Sequence, residues 1–246
     1  MNNINSGKRD KFGYSIANKQ NHFDKEFSEG GMWEIRNGRK QTQEYAGLFV
    51  RDIKIPLNEF SLLDVGCALG DSIPVLKKAY PMAKLFGCDV SRTAIERCKK
   101  DYGEQAEFFA AAFEDISGFW DVIYCSHTIE HFADYKRIAS WLLSKCNILY
   151  IIVPYYELKN GKPLDPLVEK GHMATFYRDT FNDLYEKGEL LKPVKVYIAK
   201  KHLRIIDIIL LEFKRAMKLI RYLRYFPPPK SQITYELINK NYSPKG

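Results

Sequence analysis

From residue 61 onward, short apolar runs alternate with amphipathic stretches, and this alternation sets the architecture. Ser61-Leu62-Leu63-Asp64-Val65 is apolar almost throughout and ends in glycines, the pattern of a strand buried on both faces. A helix is predicted over residues 73–80, stopped by Pro81. Residues 84–88 make a second strand ending at Asp89. Ser91 or Thr93 caps the next helix, Thr93 with Glu96 as a capping box. Strands follow over residues 106–110 and 121–125, then a helix from Asp134 to about Cys146. Residues 148–153 form a fifth strand closed by Pro154, and residues 194–198 suit a sixth. Residues 205–211 read as a seventh strand or as the start of a helix. The rhythm β-α-β-α-β-β-α-β belongs to a doubly wound parallel sheet, which binds ligands at the carboxyl ends of its strands.

Outside this rhythm, residues 1–21 form a polar tail with no apolar core, so they are not a signal peptide. Residues 41–51 look helical. The chain therefore divides into an N-terminal tail and helical cap over 1–52, an α/β domain over 53–211, and a C-terminal segment over 212–246. A hydrophobic content of 46% in 246 residues is enough for a full core. The five cysteines are scattered without a CxxC pair, which reads as reduced thiols and a cytoplasmic location. No apolar run reaches the roughly 18 to 20 residues that span a bilayer.

The net charge is +8, and it is unevenly placed. Between Lys200 and Lys230 stand nine basic side chains against two acidic ones. From Glu212 the pattern is helical. Phe213, Met217, Ile220 and Leu223 form one stripe, and Lys214, Lys218 and Arg221 form another. Pro227-Pro228-Pro229 ends it. A basic amphipathic helix between Lys214 and Arg224 suits an anionic membrane surface. The alternatives are a core-packing helix with a solvated face, or nucleic acid, which the missing aromatic platform disfavours.

In such a sheet the chemistry belongs just after each strand. The first strand leads into Gly66-Cys67-Ala68-Leu69-Gly70-Asp71, a turn that lets a ligand approach the backbone. The dinucleotide pattern G-x-G-x-x-G fails at Ala68 and Asp71, and no G-K-[ST] follows. Asp64, just ahead of the glycines, would repel a pyrophosphate and suits a cationic ligand.

These residues resemble the class I S-adenosylmethionine-dependent methyltransferase family, of the type acting on small molecules and glycans. Its first motif is an acid followed by x-G-x-G-x-G; Asp64, Gly66 and Gly70 match, and Ala68 departs from it. Asp89 matches the acid that takes the ribose hydroxyls. Trp120 to His131 looks like the family's fourth motif. The resemblance covers about half the chain. It implies a Rossmann-like α/β fold with a mostly parallel seven-stranded sheet and helices on both faces. It also implies S-adenosylmethionine as cofactor, held by Asp64, Gly66, Cys67, Ala68, Gly70, Asp89, Val90, Ala112, Phe113 and Ser126. Ala112 stands where the family has an adenine-contacting acid, and Phe113 would cover one ring face.

Three readings compete for Ser126-His127-Thr128-Ile129-Glu130-His131. On a helical turn His127, Glu130 and His131 share one face. H-x-x-E-H also spells a zinc-protease signature, but here it follows a strand of a nucleotide-type sheet. Quinone and RNA 2′-O methyltransferases hold a metal through E-x-x-E-H at this place, which makes the three residues a divalent-cation set. In the third reading His127 or His131 is a general base for an acceptor hydroxyl; a bland strand-end cap is the alternative for His131. His172, in a Gly-His-aromatic pattern, and Tyr155, after the fifth strand, are candidates for the acceptor. Val153-Pro154-Tyr155-Tyr156 lacks the Asn or Asp of the base-amino methyltransferase box, which disfavours that chemistry.

The resulting expectation is an O-methyltransferase for a sugar hydroxyl, on a glycan or lipid-linked intermediate of cell-surface polysaccharide synthesis. It would sit in the cytoplasm or at the inner face of the membrane. The rivals are a quinone or lipid O-methyltransferase, an RNA 2′-O-methyltransferase and a non-catalytic scaffold of the same fold.

Overall fold

The computed structural model describes residues 16–155, 158–159, 162–163, 174–200 and 231–243. Its centre is a seven-stranded sheet. The strands are β1 (Ser61–Val65), β2 (Lys84–Asp89), β3 (Glu107–Ala110), β4 (Trp120–Ser126), β5 (Cys146–Pro154), β6 (Lys195–Lys200) and β7 (Ser231–Ile238). Their order is β3-β2-β1-β4-β5-β7-β6. The first five are parallel, and β7 pairs antiparallel with both β5 and β6. The doubly wound, Rossmann-like reading therefore holds, with the reversal of strand order between β1 and β4.

Period-two alternation divides the core between the two faces. Leu63, Val65, Ile123, Cys125, Leu149, Ile151 and Val153 pack on one face, toward α6 (Tyr135–Leu143). Leu62, Val122, Tyr124, Ile148, Tyr150 and Ile152 pack on the other. There they meet α3 (Gly38–Asp52), whose Phe49 ring stands edge-on to Tyr124 and Tyr150. Helices α4 (Ile73–Ala79) and α5 (Arg92–Tyr102) follow β1 and β2. Ser91 caps α5, its hydroxyl accepting from the Ala94 N–H at 3.1 Å. The Thr93 N–H goes instead to Asp24, at 3.1 Å.

One boundary falls elsewhere than the pattern suggests. Residues 231–238 lie inside the sheet, so a C-terminal segment separate from residue 212 onward does not hold for them. Ile233, Tyr235 and Leu237 fill one face, while Gln232, Thr234 and Glu236 lie on the other. They pair with β5 across a long stretch of chain, a partnership that local periodicity does not register. The ambiguous residues 205–211, the basic stripe from Lys214 to Arg224, and His172 lie outside the described residues. Among the described residues, no helix is long and apolar enough to cross a membrane.

The N-terminal cap is helical: α1 (Ile16–Glu26), α2 (Met32–Ile35) and α3. Phe27 packs with Ala68, Leu69 and Ala94, with Phe23 and Trp33 against them. Asp24 accepts from the Ser91 hydroxyl at 2.6 Å. Arg39 of α3 donates to both oxygens of the buried Asp71, and to Asp101 of α5. The Tyr102 hydroxyl also donates to Asp71. Apolar packing and an ion-pair network centred on the buried Asp71 thus pin the cap over the turn that follows β1.

Candidate active site

A cavity of about 1050 Å³ opens at the carboxyl ends of β1 to β5, roofed by the N-terminal helices. It reaches the upper end of the range of ligand pockets, roughly 300–1,000 Å³, and has room for a donor and an acceptor together.

The end of the cavity at β1 and β2 is built by one continuous strand-turn-helix. After β1 the backbone enters the left-handed region three times, at Gly66 (φ 76°), Ala68 (φ 49°) and Gly70 (φ 75°). Gly66 has no alternative, because a Cβ there would meet the Thr128 hydroxyl at 2.3 Å. The Gly66 and Cys67 N–H groups both donate to the Cys88 carbonyl, at 2.8 and 3.0 Å, tying the turn to β2. Asp64 is buried, and the Ser72 hydroxyl donates to its carboxylate. Asp89 is buried too; its oxygens accept from the Ala68 N–H at 3.0 Å and the Ser91 N–H at 2.9 Å.

Burial pushes the Asp64 carboxyl up to about 7; the Ser72 hydroxyl pulls against this, and the charge of Asp89 adds to it. Burial likewise pushes Asp89 up to about 6, against the lowering effect of the Ser91, Ala68 and Val90 N–H groups. Two carboxylates sharing a water-poor cleft favour a cation between them and disfavour a phosphate.

Of the ten positions expected against the cofactor, nine line the cavity. Asp64, Gly66, Cys67, Ala68, Asp89 and Val90 form one wall, and Ala112, Phe113 and Ser126 form another. Gly70 is the exception. Its added Cβ would sit 3.1 Å from the Cys98 sulfur and the Tyr102 ring, so its bare backbone serves the packing of α5. Tyr155 does not line the cavity either. It bridges to Phe176 and packs on the α6 side of the sheet, which turns it away from the acceptor role.

At the far end of β4, His127 has φ 52°, an uncommon conformation for a side chain-bearing residue. It is set there by its N–H, which donates to the Ile152 carbonyl at 2.8 Å, and by Tyr45 of α3. The Tyr45 ring stacks on the imidazole at 3.8 Å between centroids and 15° between planes. Nδ1 lies 3.4 Å from Oε1 of the buried Glu130. Nε2 is buried and has no hydrogen-bond partner. His131 also lines the cavity.

The metal reading is corrected here. His127 lies outside any helix, and Ile129–His131 is a single 3-10 turn, so the helical alignment of the three side chains does not form. Among the described residues no group of three His, Cys, Asp or Glu side chains is placed to hold an ion.

Sequence reasoning missed several lining residues. Glu114, one residue beyond Phe113, has a buried carboxylate oxygen with no partner. Phe23, Trp33 and Tyr45 come from the cap, and Gln232 comes from β7. Glu114 had a signal, being acidic and next to the expected adenine position. The others reach the cavity only by tertiary contact.

The comparisons agree with this architecture. The family model described as "Methyltransferase domain" matches residues 20–189. No curated protein matches the chain by sequence. Among solved structures, the YcgJ protein of Bacillus subtilis is similar at 13% identity and a TM-score of 0.56, covering 81% of this chain and 100% of that one. The plantazolicin methyltransferase BpumL, solved with S-adenosylhomocysteine, is 16% identical with a TM-score of 0.53, covering 91% and 99%. Coclaurine N-methyltransferase, bound to N-methylheliamine and S-adenosylhomocysteine, is 16% identical with a TM-score of 0.54, covering 80% and 72%. Likeness at these identities shows the fold.

Proposed function

The chain belongs to the class I S-adenosylmethionine-dependent methyltransferases, and from that premise we propose that it methylates a hydroxyl group, with His127 as the general base. The observation that carries this reading is the imidazole. Nδ1 faces a buried carboxylate, and Nε2 is buried in the cavity wall without a partner. An amine that binds as its free base already carries the lone pair that attacks, and so depends less on such a group. An alcohol keeps its proton near neutral pH and gains from a base.

The residues fit the cofactor. Asp89 is held by two N–H groups and retains lone pairs for a ribose diol. Asp64 gives the positive end of the donor a negative neighbour. Phe113 would cover the base, and Glu114 would offer an acceptor for its amino hydrogens. When bound, S-adenosylmethionine supplies a methyl group on a sulfonium, an electrophile that needs no activation.

The protein's part is then alignment, exclusion of water and proton transfer. The Glu130 carboxylate, 3.4 Å from Nδ1, favours the ring hydrogen on that nitrogen and so leaves Nε2 as the acceptor atom. As the oxygen–carbon bond forms and the carbon–sulfur bond breaks, the hydroxyl proton passes to Nε2. Tyr45 holds the ring plane.

We infer a sugar-like acceptor. The basic stretch between Lys200 and Lys230 supports, through its charge, a glycan or lipid-linked form presented at an anionic membrane. The test is tritiated methyl transfer to hydroxyl, amine and thiol probes. Label in an ether supports the reading, and label confined to nitrogen or sulfur refutes it. Co-sedimentation with anionic vesicles at low salt tests the membrane part, and protein left in the supernatant would refute it.

A further inference from the structure

Gln232 is the second residue of β7, opposite Pro154 in the register, and is 3% exposed. Both its amide oxygen and its amide nitrogen are buried without a hydrogen-bond partner, and the residue lines the cavity. Leaving such a group unpaired in the protein is destabilising, a cost that a methionine of similar shape would avoid. Further along the same face, Glu236 is engaged: the Tyr150 and Tyr197 hydroxyls donate to it at 3.2 and 3.3 Å. Gln232, at the cavity wall, has an amide left open at both ends.

Its position is on the acceptor side. The donor's acids stand at β1 and β2, and β4 and β5 separate them from β7. His127 meets β5 at Ile152 from one side, and Gln232 meets it at Pro154 from the other. Two strand spacings, about 10 Å, therefore separate their backbones. Gln232 shares the face of Glu236 and Tyr150, the face covered by α3, and α3 also supplies the Tyr45 ring stacked on His127. That separation is on the scale of one ring of a small acceptor.

We propose that Gln232 is a specificity residue for the acceptor, its carboxamide binding a second, neutral hydroxyl pair while the reacting hydroxyl sits at His127. The edge of a carboxamide that faces a ligand gives one hydrogen bond and takes one, which adjacent hydroxyls return in kind. An ionic group would leave one of the two atoms unanswered. The acceptor class is thus a neutral vicinal diol, and the proposal rests on the hydroxyl-methylation reading above.

The test uses the full-length chain and Gln232→Met. Melting with saturating S-adenosylhomocysteine should hold or rise in the variant. A fall of more than about 3 °C, the scale of 1 kcal/mol in a chain this size, would show the amide to be a structural group and overturn the proposal. A tenfold loss of S-adenosylmethionine affinity would assign the amide to the donor and overturn the proposal equally. The specificity arm measures tritiated methyl transfer to methyl glycosides and their singly deoxygenated analogues. The wild type should prefer one parent over its deoxy analogue about tenfold in kcat/KM, the worth of about 1.4 kcal/mol, and in Gln232→Met that ratio should fall to about one. Hydroxyl transfer with no such preference, or with a ratio unmoved by the variant, overturns this proposal alone. Transfer confined to amine or thiol probes, or to none of the panel, overturns the hydroxyl reading and this proposal with it.

Discussion

The two ends of the cleft are built on opposite principles. At the donor end the two acids of β1 and β2 are already held. Asp64 and Asp89 each have hydrogen-bond donors close by in the strands, turns and helices that carry them, and three left-handed residues fix the turn. At the acceptor end, Tyr45, His127 and Gln232 come from three distant parts of the chain, and His127 and Gln232 keep polar atoms without partners. The first end is preorganised for one constant ligand. On the proposed reading the second is completed only when the acceptor arrives, which is where specificity would be stored.

The comparison breaks most sharply at His127. His127→Ala should lower kcat by about 10²- to 10⁴-fold, the range of a general base, while cofactor affinity by calorimetry stays within a few-fold. Wild-type turnover would remove the imidazole from the chemistry. At the other end, Asp89→Ala should weaken S-adenosylmethionine binding about 100-fold, since it removes charged acceptors from a buried site. Unchanged affinity would leave the ribose role without support.

A third prediction concerns pH. Empty, the cleft holds Asp64 near 7 and Asp89 near 6, and a cation lowers both. S-adenosylmethionine affinity should therefore be full above about pH 7 and fall as pH drops through 7 and 6, by up to about tenfold per unit for each acid that must ionise. S-adenosylhomocysteine, lacking the sulfonium charge, should show a shallower slope; identical slopes would refute the carboxylate pairing. The folding side has the opposite sign. Both values lie above the unfolded 3.8, so the folded protein holds protons the unfolded chain has released. The empty protein should lose stability as pH rises from about 4 through 7, and melting curves across that window check it.

The smallest effect is at Ala68, buried and left-handed at φ 49°. Ala68→Gly relieves a conformation that costs an L-residue about 1–2 kcal/mol, so the melting temperature should rise by about 2–8 °C. A fall would mean that the Ala68 methyl contributes more through packing than the turn loses in strain.

The strand-by-strand alternation and the acids at the ends of β1 and β2 were legible because each depends on residues within a few positions of one another. Ser91 and Thr93 could not be separated as caps from spacing alone; Asp24, nearly seventy residues away in sequence, takes the Thr93 N–H and leaves the cap to Ser91. The metal set failed for a related reason. Helical spacing at His127, Glu130 and His131 predicts one face, but a left-handed residue and a single 3-10 turn break the helix that the spacing presumes. Gln232 to Leu237 alternates polar and apolar in a regular way, yet its partner strand lies roughly eighty residues away, behind three prolines.

Local order therefore carried the fold class, the family and the donor end of the cleft, because a strand, its turn and the next helix are dictated by neighbouring residues. The acceptor end was decided only in three dimensions. Tyr45 meets His127, and Gln232 reaches the same cavity, because the sheet and the cap bring together segments whose contact depends on packing rather than on spacing along the chain.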